Sequence, residues 1–319
     1  MTSVTTVSPK VNLALRVKRY RPQGRIQIFD DSRNATVPLI GLKVKCQNRF
    51  RTVSGITDEN GFYQCDGQLL NSAPGKYRIE FDRDKFTLME GWLNDAEHIG
   101  PRQDSDFNHT FQGSGITTYY AKVFYGAHYY FFRDILDLRR PDYPHKGKHR
   151  LKIRCHRQPN STQHGGSFWP KPLQPDVHIH ADLLPFSQIF NYTAHEICHA
   201  SLFTHRSDYK DINAYIDEAN AQGVAFFITR ILYPAANYLN VNPNYSNYVV
   251  DLIDDDEVQN LGSFDANSGD NVNGYTLRQI EDALLAKTIN ETDWKKNLKD
   301  LFVNQTEGEP LDILTNESF

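Results

Sequence analysis

The chain has 319 residues, enough for two domains, and 39% of them are hydrophobic and 12% aromatic, enough to form ordinary cores. A formal net charge of -4 gives no bulk attraction to nucleic acid or to an anionic membrane surface, so no nucleic-acid partner is expected. No run of about eighteen apolar residues occurs, and the sequence therefore predicts no membrane span.

The N-terminal part of the chain has the pattern of a β-sheet protein. Residues 1–19 show no hydrophobic periodicity and are expected to form a tail. After them, four segments alternate apolar and polar residues, as half-buried strands do. These segments are 25–29, 42–46, 61–65 and 77–81. Turn-forming residues separate them, and the pattern predicts an antiparallel β-sandwich over residues 20–90.

One turn of this region has a distinctive sequence. Residues 55–63 read Gly-Ile-Thr-Asp-Glu-Asn-Gly-Phe-Tyr, and together with 41–44 and 75–81 they resemble the carboxypeptidase-regulatory or transthyretin-like domain. Such modules are usually non-catalytic parts of extracytoplasmic proteins. The resemblance therefore implies a secreted, periplasmic or cell-surface protein. Residues 1–10 lack the apolar region of a signal peptide, so either the protein is cytosolic or a leader has been removed. The resemblance favours the second alternative, and a removed leader would also allow surface anchoring.

The four cysteines leave two interpretations open. Cys46 and Cys65 lie in neighbouring predicted strands, and Cys155 lies in a predicted strand that can pack near Cys198. These two pairs would form disulfides in an oxidising compartment. Four buried free thiols are the alternative, because free cysteine is among the most buried residue types.

Residues 91–115 are rich in glycine and polar residues and have no sustained apolar period, so they are expected to be a linker. The second domain is then expected to cover residues 116–319. Its first element is a predicted helix over 117–138, in which apolar and aromatic residues recur at helical spacing. Pro141 is expected to stop this helix.

Two predicted strands follow, at 151–155 and 176–180. His178 and His180 alternate on the second strand, and that spacing can bind a metal. No carboxylate or cysteine in the pattern completes a separate site. Satisfied or exposed histidines are therefore the expected outcome.

Residues 195–199 read His-Glu-Ile-Cys-His within a helix predicted over 191–204. Positions i and i+4 share one face of a helix, so His195 and His199 can offer their imidazoles to one metal ion, with Glu196 beside the open coordination position. A catalytic zinc takes three protein ligands and a water, whose pKa it lowers so that a carboxylate can deprotonate it. The motif predicts a zinc site with Glu196 as the general base.

The third ligand is expected from a second helix, predicted over 215–232. Glu218 lies 19 residues after His199 (218 minus 199), which leaves room for a loop and an antiparallel helix. His205 is the alternative third ligand, because it lies where a His-x-x-Gly-x-x-His arrangement would place one. However, Leu202 occupies the glycine position of that arrangement, and Glu218 is preferred.

The His-Glu-x-x-His motif and residues 217–219, Asp-Glu-Ala, resemble the thermolysin-like or gluzincin metallopeptidases, whose second helix carries Asn-Glu-Ala. The aromatic segment 119–130 resembles the helix before the metal site of that family, and 166–169 resembles its substrate-binding edge strand. The resemblance covers about residues 116–230. The residues that it implies for substrate binding are Ser167, Phe168 and Trp169.

Three features depart from the family pattern. The edge strand lacks its asparagine, Gln222 replaces a carboxylate one helical turn after Glu218, and no histidine follows His205. Gln222 is expected to orient a ligand histidine through its amide oxygen, and Asp217 is expected to support the ligands as well. In the family, a late histidine and a tyrosine stabilise the oxyanion. Tyr209, in the loop between the two metal helices, is the candidate for that role, with an ordinary surface or core tyrosine as the alternative.

Together these features predict an α+β protein in which an antiparallel β-sandwich precedes a gluzincin-like domain with a small mixed sheet and helices. The expected function is zinc-dependent hydrolysis of peptide bonds in a peptide or protein substrate, with Zn²⁺ as the cofactor. The alternative is a cell-surface binding protein, in which an inactive metallopeptidase-like domain recognises a glycan or peptide. The sequence carries no signal for an oligomeric state.

Overall fold

The chain is a mixed α+β protein. The computed structural model describes residues 18–49, 51–70, 73–91, 93–135, 137–144, 149–157, 165–171, 174–236, 248–253 and 274–302. The expected tail lies outside the described residues, except for its last two positions. In this described part, no helix is both long enough and apolar enough to cross a membrane.

The strands and helices follow one another in a mixed order. The strands are β1 (Arg19–Tyr20), β2 (Gln23–Asp30), β3 (Ala35–Pro38), β4 (Lys43–Gln47), β5 (Thr52–Ile56), β6 (Phe62–Gln64), β7 (Leu69–Leu70), β8 (Gly75–Glu80), β9 (Phe86–Glu90), β10 (Asn94–Asp95), β11 (Glu97–Gln103), β12 (His109–Phe111), β13 (Leu151–Cys155), β14 (Gly165–Lys171) and β15 (Gln174–His180). The helices are α1 (Ile116–Phe132), α2 (Phe186–His205), α3 (Ala214–Leu232), α4 (Tyr248–Ile253), α5 (Leu277–Leu285) and α6 (Glu291–Leu301), with a 3₁₀ turn at Tyr209–Asp211.

The N-terminal part contains two four-stranded sheets. One has the order β5-β4-β8-β11, and in the other β2 is the central strand, paired with β3, β6 and β12. The period-2 alternation of the sequence appears as alternating burial: β2 buries Ile26 and Ile28 completely, and β8 buries Tyr77 and Ile79. These side chains belong to one hydrophobic cluster, which holds the two sheets together.

Residues 91–115 do not form the expected linker. β11 pairs antiparallel with β8, and β12 pairs with β2. The pairing of β12 is parallel, so the N-terminal part is not purely antiparallel. β11 was not predicted because its sequence resembles a turn. It is an edge strand whose residues are half-exposed or exposed, and Gly100 and Pro101 are tolerated in such a strand.

The expected boundary at residue 90 also differs from the strand pairing. A five-stranded sheet has the order β10-β9-β13-β15-β14, and β9 pairs in parallel with β13 along residues 86–90. β9 therefore belongs to the sheet of the second part, although it precedes residue 91 in sequence. β9 and β10 thus join β13, β14 and β15 in one sheet, which crosses the expected boundary.

Helices α1 and α3 pack against α2, which also contacts β14 and β15. Aromatic rings join α1 to α2: Tyr125 packs edge-on against Phe186, and Tyr129 against Phe190. The Tyr119 hydroxyl of α1 donates a hydrogen bond to the backbone oxygen of Ile179 at 2.7 Å, which fixes the helix on β15. α1 ends at Phe132, six residues before the end predicted at residue 138 (138 minus 132), since the chain becomes extended at the next residue.

The turn between β2 and β3 contacts the beginning of α2. Pro185, at the N-cap of α2, makes no side-chain cap. Instead, Asp31 accepts the backbone N–H of Phe186 at 2.7 Å, and the Ser32 hydroxyl accepts that of Ser187 at 3.0 Å. Asp31 also accepts a charged hydrogen bond from Lys122 of α1 at 2.7 Å. The N-terminal part thus satisfies orphan N–H groups of the helix that carries the His-Glu-x-x-His motif.

All four cysteines are buried free thiols, which agrees with the second of the two interpretations. Burial raises the pKa of the Cys65 thiol to about 12, with smaller contributions from Cys46 and Asp66. Burial also raises the pKa of Cys155 and Cys198. These thiols are therefore protonated at neutral pH and pack as small apolar groups.

Candidate metal centre

His195 and His199 of α2 and Glu218 of α3 bring three donor atoms together. The two histidine Nε2 atoms lie 3.1 Å apart. Glu218 Oε2 lies 3.2 Å from His195 Nε2, and Glu218 Oε1 lies 3.5 Å from His199 Nε2. Ligand atoms bound tetrahedrally at about 2.1 Å from zinc are separated by about 3.4 Å. One donor atom of each group can be chosen so that all three lie within 4.8 Å of one another, which suits three ligands of one metal ion.

Small residues allow the two ligand-bearing helices to approach closely. Ala194 and Ala200 of α2, and Ala219 and Ala221 of α3, are all fully buried. The side chain of Asn213 caps α3 by accepting the backbone N–H of Tyr215, so the helix begins one turn before Glu218. The helix start and the close packing together place the Glu218 carboxylate opposite the two imidazoles.

Asp217 supports His199 from the side away from the three donor atoms. Its Oδ1 lies 2.9 Å from His199 Nδ1, and its Oδ2 accepts a hydrogen bond from the Tyr209 hydroxyl. A carboxylate at Nδ1 fixes the orientation of a ligand histidine and leaves Nε2 available to a metal. For His199, Asp217 occupies the orienting position that the sequence assigned to Gln222. Gln222 is buried in α3, one turn after Glu218.

The charges of the centre favour a bound cation. Burial by itself would lower the pKa of His199, but the carboxylates of Asp217, Glu196 and Glu218 outweigh it and raise that pKa to about 10. Burial opposes ionisation of Glu218, yet His195 and His199 lower its pKa to about 2. Three carboxylates thus surround two imidazoles, and a divalent ion would neutralise this excess of negative charge.

Glu196 is close to the ligands but has a different environment. It is only 4% exposed, and burial raises its pKa, although His195 and His199 partly oppose that effect. Among the described residues, its Oε2 atom has no hydrogen-bond partner. A buried polar atom without a hydrogen-bond partner typically lowers folding stability by about 1–3 kcal/mol, and a catalytic role is one explanation for such an atom. A base that accepts a proton from a water is a task that suits this carboxylate.

Tyr209 lies between the metal helices and the edge of the sheet. Its hydroxyl donates its one proton to Asp217. Its ring lies edge-on to Phe203 at 5.5 Å and to Phe168 of β14 at 6.2 Å between centroids. This arrangement holds Asp217, which in turn contacts His199. The expected oxyanion role of Tyr209 stays a prediction, and the structure suggests a positioning role beside it.

The residues expected to bind substrate lie on β14, the edge strand next to α2. Ser167 opposes His178, Phe168 opposes Val177 and Trp169 opposes Asp176. Phe168 packs against Phe203 of α2, with 5.5 Å between ring centroids. Within the described ranges, β14 pairs with β15 and with no second strand, so one row of its backbone groups remains for an added strand.

His205, the alternative third ligand, does not join the centre. Its Nε2 atom lies 2.9 Å from the backbone oxygen of Arg140, at the C-terminal end of α2. It is six residues beyond His199 (205 minus 199), almost two helical turns further along α2. Glu218 therefore supplies the third donor of the group.

The fold and the centre define a class of site: two helices that place two histidines and a glutamate around one position, with a further buried glutamate beside it. Comparison with known proteins gives no family for the chain, since no protein-family model matches it and no curated protein is similar to it.

Proposed function

We propose that the protein is a zinc-dependent peptidase whose zinc is held by His195, His199 and Glu218. The observation that carries the proposal is the convergence of their donor atoms. The two Nε2 atoms lie 3.1 Å apart, and the two Glu218 oxygens lie 3.2 and 3.5 Å from them, one oxygen beside each imidazole. Imidazole and carboxylate are ligands that zinc accepts, and the carboxylates around the two imidazoles support a divalent ion, which would displace the proton of His199.

Each residue of the centre has a distinct task in this proposal. Bound zinc supplies Lewis acidity, which polarises a carbonyl group and makes a water more acidic. Glu196 takes the proton of the attacking water at its unpartnered Oε2 and delivers it to the leaving amine. Asp217 holds His199 in its ligand orientation, and Tyr209 holds Asp217.

The substrate class that fits this arrangement is an extended peptide. β14 is an edge strand beside α2, so a peptide can pair with its backbone and pass over the helix that carries Glu196. Phe168, held against Phe203 and Tyr209, supplies an apolar wall close to the centre. Main-chain hydrogen bonds to β14 would hold peptides of many sequences in the same position. Pockets for the peptide side chains would then determine which sequences are cleaved.

An extracytoplasmic location is part of this proposal, and its support is the resemblance of residues 41–44, 55–63 and 75–81 to a module that is usual in extracytoplasmic proteins. Disulfide bonds, which form in oxidising compartments, give no support for this location, because the four cysteines are free. The location is tested by expressing the gene in its own cell with a C-terminal tag and probing intact cells and medium. Accessible tag would agree with the proposal, and tag found only in the cytosol would contradict it.

The test of the activity is hydrolysis of casein or a quenched fluorescent peptide library, with and without a chelator. We expect turnover by the untreated protein, loss of turnover after chelation and recovery when Zn²⁺ is returned. The competing function is a binding protein with an inactive metallopeptidase-like domain. That protein would bind peptide or glycan without turnover under any of the three conditions.

A further inference from the structure

Three histidines lie together on the five-stranded sheet, away from the candidate metal centre. His178 and His180 alternate along β15, and His156 follows the last residue of β13. Because Cys155 pairs with Ile179 in the parallel register of these strands, His156 comes beside His180. His156 is the member that the sequence argument missed, although its position after a predicted strand could have revealed it.

The three imidazoles are close to one another. His156 Nε2 lies 2.9 Å from His178 Nδ1. The ring centroids of His156 and His180 are 4.4 Å apart, and those of His156 and His178 are 5.1 Å apart. One nitrogen of each ring can be chosen so that all three lie within 4.8 Å of one another. Three histidine nitrogens at this spacing are a donor set that transition metals accept.

The histidines face away from helices α1 and α2. On β15, Val177 and Ile179 alternate with His178 and His180, and both are fully buried. The backbone oxygen of Ile179 accepts a hydrogen bond from Tyr119 of α1. Phe168, which lies opposite Val177 on β14, packs against Phe203 of α2. Successive side chains of a strand point to opposite faces, so the histidines lie on the other face of the sheet from His195 and His199.

Two charged residues lie on the same face of the sheet as the histidines. Asp176 alternates with His178 along β15, and Arg154 pairs with His178 in the strand register. Their side chains form an ion pair at 2.8 Å, so these two charges are paired with each other.

We propose that His156, His178 and His180 form a second metal site, which takes a divalent transition-metal ion such as Zn²⁺ or Cu²⁺. Three nitrogen donors suit these ions better than Mg²⁺ or Ca²⁺, which prefer oxygen ligands. The site is independent of the proposed peptidase function, because it shares no residue with the first centre.

Metal binding requires the rings to turn. The three ring planes lie within 3°, 8° and 10° of one another, and lone pairs in parallel rings do not converge on one point. His156 and His180 are only half-buried, so they have space to rotate about their side-chain bonds, whereas His178 is buried. Rotation also breaks the contact between His156 and His178, and the site should therefore bind less tightly than the first centre.

The test is metal stoichiometry and affinity of the full chain, measured after chelator treatment and dialysis against Zn²⁺ or Cu²⁺. The unmutated protein should bind two equivalents, and both H199A and H180A should bind one. In H180A, the affinity for the second metal ion should fall by at least about 100-fold. Removal of a ligand should lower metal affinity more than removal of a residue that only supports a ligand, which typically costs about 10–100-fold. The matched control is H98A, since His98 is stacked on His109 and is outside both groups; it should bind two.

Cu²⁺ electron paramagnetic resonance gives a second readout. In H199A, which weakens the first centre, the copper spectrum should show coupling to histidine nitrogens, and H199A/H180A should lose it. If circular dichroism shows that H180A does not fold, the half-exposed His156 is replaced by alanine in its place, with the same expected loss. A single equivalent in the unmutated protein, or a second equivalent that persists in both H156A and H180A, would overturn the proposal.

Discussion

Glu196 and Glu218 lie close to the same two histidines, but their environments differ. Glu218 contacts both imidazoles, which lower its pKa to about 2, so it is negative at any working pH. Glu196 is buried, has a raised pKa, and has one carboxylate oxygen without a partner among the described residues. The first environment suits a metal ligand, and the second suits a base.

We therefore expect Glu196→Gln to lower peptide hydrolysis by about 10²–10⁴-fold, because general acid–base groups typically contribute that much. Zinc content, measured on the same preparation, should be unchanged. Glu218→Ala should instead lose zinc together with activity. If Glu196→Gln loses zinc as readily as Glu218→Ala, the two roles are wrongly assigned.

Tyr209 is expected to act through Asp217, because its hydroxyl donates to that carboxylate. Tyr209→Phe should weaken zinc binding by about 10-fold, within the range for residues that support a ligand, and should lower kcat accordingly. The double variant with Asp217→Asn should be no worse than Asp217→Asn alone, since both act on His199. Unchanged zinc affinity with a kcat lowered tenfold or more and an unchanged KM would instead support the oxyanion role.

For the individual residues of the candidate site, their spacing in the sequence predicted much of the arrangement. His195 and His199 share a helix face, and the Glu218 helix follows after a short loop, so the sequence was sufficient to nominate all three. The partner of His199 was less predictable, because Asp217 and Gln222 both flank Glu218 and only the packing of α3 on α2 selects between them. His156 was missed because its neighbours depend on a parallel strand register.

Helix α2 depends at its beginning on a turn from the N-terminal part. Asp31 accepts the N–H of Phe186 and contacts Lys122, and these interactions outweigh the effect of partial burial and lower the pKa of the Asp31 carboxyl. A carboxylate at this position also interacts favourably with the helix dipole. The contribution is fully present above the pKa of an unfolded aspartate and is lost as the pH falls through the lower pKa of the folded state.

Asp31→Ala should lower the free energy of unfolding by about 1–2 kcal/mol at neutral pH, as loss of a helix cap does. The difference from the unmutated protein should shrink as the pH falls into the acid range. Urea denaturation at several pH values measures both. Asp95→Ala on β10, where the side chain is exposed, is the control and should change stability by less than about 0.5 kcal/mol. A difference for Asp31→Ala that does not depend on pH would contradict the charge-based explanation.

The elements themselves were largely predictable. The metal helices were expected at 191–204 and 215–232, and the structure has them at Phe186–His205 and Ala214–Leu232. The beginning of α2 was placed too late because Pro185 and the following residues carry no cap of their own. That cap comes from a turn more than 150 residues earlier in the chain (186 minus 31 is 155), which local sequence does not reveal.

At the scale of the whole molecule, the five-stranded sheet joins the two halves of the sequence. β9 supplies the parallel neighbour of β13, and the Phe86 ring packs against Phe124 and Phe131 of α1 at 5.4 and 5.5 Å. The sequence suggested separate domains because alternation identifies strands but not their partners. A long-range parallel pairing was therefore the part of the fold that could not be predicted.

A fragment of residues 116–319 should consequently fail to fold with native zinc affinity, because it exposes the edge of β13 and the aromatic face of α1. The control is a fragment of residues 18–319, which keeps every described element and should bind zinc like the full chain. Circular dichroism and zinc content of the two purified fragments provide the measurement. A soluble, folded 116–319 fragment with a full equivalent of zinc would show that the second part folds by itself.

The proposed peptidase activity depends on one metal ion at His195, His199 and Glu218. The most direct measurement is a titration of chelator-stripped H180A protein with Zn²⁺, in which hydrolysis of a quenched peptide is followed at each addition. We predict no turnover at the start, a linear rise and a plateau at one equivalent, with no rise in H199A/H180A. Turnover that survives stripping, or no turnover at any zinc concentration, would contradict the claim.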